Sequence, residues 1–168
     1  MLSFKECINL NEQTVYRGVK GKFDRSYTSK QDIVWVSTSK EHSDMYTSGQ
    51  GEVVDFKLNT SKLVPLNLGF RTVSTEVKLD EVKSRFKQAV MDLFKNKKIA
   101  RDKAMSILDD LDKVEINGHK QVWEWVHVPS ILKLIKQAGF NVIEQNEGLS
   151  RHDGNVKTYG IIDKSLIT

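Results

Sequence analysis

Apolar and polar residues alternate over several short runs in the first 68 residues, as they do in half-buried strands. These runs predict strands at residues 14–19, 32–37, 51–58 and 62–68. The last run contains Pro65, which has no backbone N–H to donate within a central strand. It is therefore expected at the edge of a sheet or in an extended connection.

A helical period replaces this alternation between residues 78 and 111. Apolar residues recur there every three or four positions, and a Lys-rich turn at 95–98 divides them into two amphipathic segments. The pattern predicts a helical hairpin. A further helix is expected to run from about Pro129 to Gly139, because glycine commonly ends a helix.

The chain returns to strand-like runs after Phe140. Strands are predicted at residues 141–145 and 157–162, and the polar loop between them, at 146–155, is long enough to carry functional residues. Strands, then helices, then strands predict one α+β domain over residues 1–168, with a helical insertion at about residues 78–111.

The composition agrees with one folded domain. Of the 168 residues, 39% are hydrophobic, and a chain of this length buries roughly 70% of its unfolded surface. The longest apolar runs are far shorter than the roughly 18 to 20 residues of a membrane span. The N-terminus lacks the apolar core of a targeting signal, and Cys7 has no second cysteine to pair with. We therefore expect a cytoplasmic, metal-free domain that does not associate with a membrane.

The net charge of +4 raises nucleic acid as a partner, since Lys and Arg neutralise phosphates. Acidic residues are interspersed among the basic ones, however, and the densest cluster, at 95–98, is expected to be a solvated turn. Nucleic acid is therefore kept as an alternative partner. The sequence contains neither a phosphate-binding glycine loop nor a zinc-type histidine spacing.

Three short signals stand in a fixed order along the chain. Tyr16-Arg17-Gly18 lies in the first strand, where an arginine can clamp a phosphate and a glycine allows close approach to the backbone. Ser37-Thr38-Ser39 ends the second strand and precedes a short helical stretch, 40–47, that carries Tyr46. A carboxylate, Glu144 or Glu147, follows in or after the strand at 141–145.

This arrangement resembles the Arg-Ser-Glu class of the ADP-ribosyltransferase family, which has an aromatic-Arg-Gly first strand, a second strand ending in Ser-Thr-Ser, and a late glutamate. Most members place a Glu-x-Glu or Gln-x-Glu turn directly before a terminal strand, and no acid precedes Tyr159 in residues 156–158. The segment from Gln137 to Gly148 is instead similar to phage-encoded anti-CRISPR ADP-ribosyltransferases, whose catalytic acid lies about seven positions after a Gly-Phe pair. That spacing indicates Glu147, with Glu144 as the second choice.

The resemblance implies a split mixed β-sheet core and transfer of ADP-ribose from NAD+, which serves as a substrate, to a macromolecular target such as a host protein. It implies that Glu147 or Glu144 stabilises the oxocarbenium-like state and that Ser37 orients the glutamate or the ribose. It also implies that NAD+ is bound by the two motifs and the aromatic residue that follows them. These residues are Tyr16, Arg17, Gly18, Ser37, Thr38, Ser39 and Tyr46. Arg17 would hold the pyrophosphate or the adjoining ribose, and Tyr46 could stack on nicotinamide.

Two other functions stay open at this point. The missing Glu-x-Glu turn favours a catalytically inactive relative that docks on a host protein or a nucleoprotein. The charge favours a nucleic-acid binder. The helical insertion is not needed for NAD+ chemistry, so it is the segment expected to recognise the target of a phage or bacterial effector.

Overall fold

Six strands form one mixed sheet in the computed structural model, which describes residues 11–24, 26, 30–72, 79–115, 122–148 and 156–168. In chain order the strands are β1 (Glu12–Lys20), β2 (Val34–Ser37), β3 (Gly51–Asn59), β4 (Pro65–Thr72), β5 (Val142–Gly148) and β6 (Val156–Ile161). They lie side by side in the order β3-β1-β2-β6-β5-β4. Among the pairs that these six strands form, β4 with β5 is parallel and the others are antiparallel. A strand is present in each predicted region. The run at 62–68 becomes a strand only from Pro65, continues to Thr72 and lies at an edge of the sheet.

The described helices include the predicted ones and one, Val122–Val126, that the sequence did not predict. They are α1 (Lys40–Asp44), α2 (Leu79–Lys95), α3 (Arg101–Lys113), α4 (Val122–Val126) and α5 (Pro129–Ala138), and a 3-10 turn, Met45–Thr47, continues α1. Gly139 ends α5 in the left-handed conformation, with φ 92°. The coarse α+β class is confirmed. Within the described ranges, no helix combines the length and apolar character that a membrane crossing requires.

The helical pair α2–α3 contributes to the main core. The buried side chains of Phe86 and Val90 from α2, and of Leu111 from α3, share one apolar cluster with Trp125 and Ile135. The Phe86 and Trp125 rings meet edge to face, with centroids 6.1 Å apart. The helical pair therefore belongs to the core of the domain, and its removal would expose the apolar residues that it covers.

Strands β1 and β2 separate soon after they meet. Their register contains one pair, Tyr16 opposite Ser37, and α1 packs against β1 beyond that point. The Ser43 hydroxyl donates a hydrogen bond to the Tyr16 carbonyl oxygen at 2.9 Å. A Cβ atom at Gly18 would lie 1.9 Å from the Ser43 carbonyl oxygen. Gly18 therefore makes room for α1. It also lines a cleft where β1 and β2 diverge, so the close approach of a ligand at Gly18 stays a prediction.

We expect Gly18→Ala to destabilise the fold. In an open strand this substitution would stabilise by about 0.4–1 kcal/mol through the unfolded state, but the added methyl group meets the Ser43 backbone and forces α1 away from β1. Overpacking of this kind lowers the free energy of unfolding by about 1–3 kcal/mol. Urea denaturation measures the change, and an unfolding free energy equal to or above that of the wild type would contradict this packing.

Candidate functional site

A cleft of about 490 Å³ lies at the divergence of β1 and β2. Its walls come from β1, β2, α1, β5, β6 and the residues that follow α1 and α4. They comprise Tyr16, Arg17, Gly18, Trp35, Val36, Ser37, His42, Ser43, Tyr46, His127, Gln145 and Thr158. Residues of the first two sequence motifs therefore line one cavity.

The strand register places four hydrogen-bonding side chains in a line across the sheet. Tyr16 pairs with Ser37, Ser37 with Thr158, and Thr158 with Gln145. All four line the cleft, and we call them the polar row. Ser37, Thr158 and Gln145 are only 3%, 6% and 2% exposed. The polar row thus combines residues of four strands, with three buried members and the partly buried Tyr16.

The three residues of the Ser-Thr-Ser segment have different contacts, one in the cleft and two in the structure around it. Ser37 lines the cleft, and its hydroxyl oxygen accepts a hydrogen bond from the Ser39 backbone N–H at 3.1 Å. Thr38 binds the Lys157 carbonyl oxygen through its N–H and its hydroxyl. Ser39 caps α1 by accepting from the His42 N–H at 3.1 Å. Thr38 and Ser39, which the sequence predicted to bind the cofactor, are not among the lining residues; they hold Ser37 and α1 in place.

Arg17 lies against the cleft with a fixed guanidinium group. Its Nη2 donates to the Gln31 side-chain oxygen at 2.7 Å, and its Nη1 is buried. A planar guanidinium carries its donors in a rigid fork that matches the spacing of two phosphate oxygens. Arg17 and Ser37 line the same cavity, although they come from two separate motifs.

The two candidate acids have different positions. Glu144 forms an ion pair with Lys157, with 3.1 Å between Oε1 and Nζ, and accepts a hydrogen bond from Asn67 at 3.3 Å. The hydrogen bond to Glu144 is the main cause that raises the pKa of Lys157. Glu144 does not line the cleft, because side chains alternate along β5 and Gln145 occupies the cleft face.

Glu147 belongs to β5 itself. The strand continues to Gly148, so this position is not in the loop that the sequence predicted, and the register pairs it with Val156. Two residues apart in a strand, positions 145 and 147 share a face of the sheet. The side chain of Glu147, like residues 149–155 of the predicted loop, lies outside the described part of the chain.

Aromatic rings form the rim of the cleft. Gly160 lets the Trp35 ring lie close over β6, since a Cβ atom there would lie 2.9 Å from the ring. The indole N–H of Trp35 donates to His127 Nε2 at 3.3 Å. Tyr46 packs edge to face with His42 at 5.4 Å, and 53% of its surface is exposed. An aromatic residue this exposed is not part of the core, and its position suits contact with a bound ring.

His127 is expected to titrate below its ordinary pKa of about 6.5. Partial loss of hydration beside the cleft wall lowers the pKa of His127, and the charge of Asp32 opposes that shift. Asp32→Asn should therefore lower the pKa further, whereas Asp109→Asn on α3 should leave it unchanged. An NMR titration of the imidazole measures both effects. A pKa above 6.5 in the wild type, or a rise in Asp32→Asn, would contradict this assignment.

Sequence reasoning missed Gln145 and Thr158. One signal for Gln145 was present, because Gln145-Asn146-Glu147 spells the Gln-x-Glu pattern that had been sought before Tyr159. The pattern lies one strand away, in β5, which pairs with β6. Thr158 had no comparable signal, since only the register of three strands brings it beside Ser37 and Gln145.

The fold and site define an α+β domain with a buried polar row, a fixed arginine and an aromatic rim. No group of three or more His, Cys, Asp or Glu side chains in the described ranges could hold a metal ion. Comparison with protein-family models, curated proteins and solved structures finds no match for this chain. The functional conclusion therefore depends on the geometry of the cleft.

Proposed function

We propose that this protein is a mono-ADP-ribosyltransferase that transfers ADP-ribose from NAD+ to a protein target. The observation that carries the proposal is the shared cleft. Arg17 and Ser37, taken from two separate motifs, line one cavity, and Glu147 follows Gln145 on the strand that completes the polar row. An ADP-ribosyltransferase-like fold is part of the same proposal, supported by the sheet that opens between β1 and β2.

The cleft offers the chemical groups that NAD+ requires. Its volume of about 490 Å³ lies within the roughly 300–1,000 Å³ of small-molecule sites. Arg17 supplies a cation for the pyrophosphate, Ser37 a hydroxyl for a ribose, and Tyr46 a ring for stacking on nicotinamide. Glu147 supplies the carboxylate, for which the described lining residues contain no alternative.

The reaction breaks the bond between nicotinamide and C1′ of its ribose. The bonding electron pair leaves with the ring nitrogen, so nicotinamide departs as a neutral molecule and C1′ develops oxocarbenium character. A carboxylate beside the ribose stabilises this positive charge. A nucleophilic group of the target then forms the new bond to C1′ and gives up its proton.

A second function, that of a catalytically inactive protein that docks on a host protein or a nucleoprotein, is favoured by one observation. The lining residues that the structure describes include an arginine and two histidines but no acid. This candidate predicts no NAD+ binding and no transfer. The two functions are therefore separable by experiment.

Incubation of the protein with labelled NAD+ and a host-cell lysate tests the proposal. The label is expected to become attached to a discrete species that protease destroys and nuclease does not. Nuclease-sensitive label would identify nucleic acid as the target instead. If the wild type releases no nicotinamide and labels nothing, the docking function is favoured.

A further inference from the structure

We propose that Gln145 and Thr158 bind the carboxamide group of the nicotinamide ring. This inference assigns a ligand to two residues at one end of the polar row, and it rests on the proposed function. Three properties of these two side chains support the assignment: their burial, their adjacent positions in the sheet, and the hydrogen-bond donors and acceptors that they carry.

Both side chains are buried without partners among the residues that the structure describes. The Gln145 amide nitrogen and oxygen and the Thr158 hydroxyl oxygen are buried and make no hydrogen bond there. An unpaired buried polar group is destabilising, and nearly all such groups in folded proteins have a partner. Since both residues line the cleft, a ligand is the natural source of the missing hydrogen bonds. Rotation about the soft terminal torsion of Gln145 can turn its amide toward that ligand.

The chemistry of the pair favours a carboxamide over a phosphate. A glutamine side chain presents one acceptor and an N–H donor in one plane, and a second carboxamide complements both. A phosphate presents only acceptors to this site, which would leave the Gln145 oxygen unpaired. The Thr158 hydroxyl can donate to the second lone pair of the ligand carbonyl.

Beside Thr158 and Gln145, the Trp35 indole provides an aromatic surface for the pyridine ring of nicotinamide. The register pairs Trp35 with Gly160 and Gly160 with Ile143, one row away on the same face as Thr158 and Gln145. The absence of a Cβ atom at Gly160 allows the Trp35 indole to lie there. An aromatic surface beside an amide-binding pair suits a planar ring with one carboxamide, whereas a ribose would leave the indole without a stacking partner.

A comparison of two dinucleotides tests the inference. In the 3-acetylpyridine analogue of NAD+, a methyl group replaces the carboxamide NH₂, so the donor to Gln145 is lost. Calorimetry should show that the wild type binds NAD+ about tenfold to a hundredfold more tightly than the analogue, as expected when a buried acceptor is left unpaired. In Gln145→Met, which preserves side-chain length without the amide, this preference should fall to about twofold or less.

Two further variants complete the experiment. Asn146→Met is the matched control on the same strand; because Asn146 does not line the cleft, the wild-type preference should persist. Thr158→Val should weaken binding of both dinucleotides while keeping the preference. Gln145→Met should unfold at or above the wild-type temperature, since it removes an unpaired buried amide. If the wild type binds NAD+ and Gln145→Met keeps the full preference, the inference is overturned and the proposed function stands. If the wild type does not bind NAD+, the proposed function fails as well.

Discussion

Glu147→Gln is expected to lower the rate of ADP-ribose transfer by at least about 100-fold, the loss that follows removal of one group stabilising a charged transition state. The amide has nearly the shape of the carboxylate but cannot neutralise the positive charge that develops at C1′. Binding of NAD+ should change little, because this charge is absent from the ground state. Release of nicotinamide and labelling of the target measure the rate, and calorimetry measures the affinity.

Glu144→Gln is the matched control for this experiment. Glu144 lies next to Gln145 in the same strand, but its carboxylate pairs with Lys157 outside the cleft. Its replacement should leave the transfer rate within about twofold of the wild type and affect stability by at most about 1 kcal/mol, as for other partly exposed ion pairs. Full activity in Glu147→Gln, or loss of activity in Glu144→Gln alone, would show that the acid has been assigned to the wrong residue.

Arg17→Lys is expected to weaken NAD+ binding by about tenfold to a hundredfold. Lysine keeps the charge but loses the planar fork that can hold two phosphate oxygens, and it also loses the hydrogen bond to Gln31. Hydrogen bonds to charged groups contribute about 1.5–3 kcal/mol each, which sets the expected size of the effect. Calorimetric titration of NAD+ into the variant measures it.

Arg101→Lys provides the control for Arg17, because Arg101 is exposed at the start of α3 and does not line the cleft. NAD+ should bind this variant as tightly as it binds the wild type. Equal affinities for Arg17→Lys and the wild type would exclude Arg17 from the binding site. A loss of equal size in both variants would indicate a general effect of charge.

Local patterns predicted most of the secondary structure. Alternation in β1 and β3, the proline at the start of β4 and the glycine after α5 each act through neighbouring residues, so their structural meaning can be inferred from a short window. The cap at Ser39 is equally local, because its hydroxyl contacts an N–H three residues away. Local patterns also placed Tyr16-Arg17-Gly18 in a strand and Ser37 at the end of the next strand, where the structure has them.

Features that depend on tertiary contacts could not be predicted in the same way. Gln145, Thr158 and Ser37 become neighbours only through the register of three strands. Gly18 serves the close approach of α1, which is set by packing against β1. The buried faces of α2 and α3 were visible as a periodic pattern, but which surface they cover follows from the whole core.

Calorimetric titration of NAD+ into the wild-type chain tests the central claim most directly. We predict saturable binding of one NAD+ per chain, weakened in Arg17→Lys and preserved in Glu147→Gln and Arg101→Lys. Absence of binding to the folded wild-type protein, or binding that Arg17→Lys does not weaken, would contradict the assignment of this cleft to NAD+.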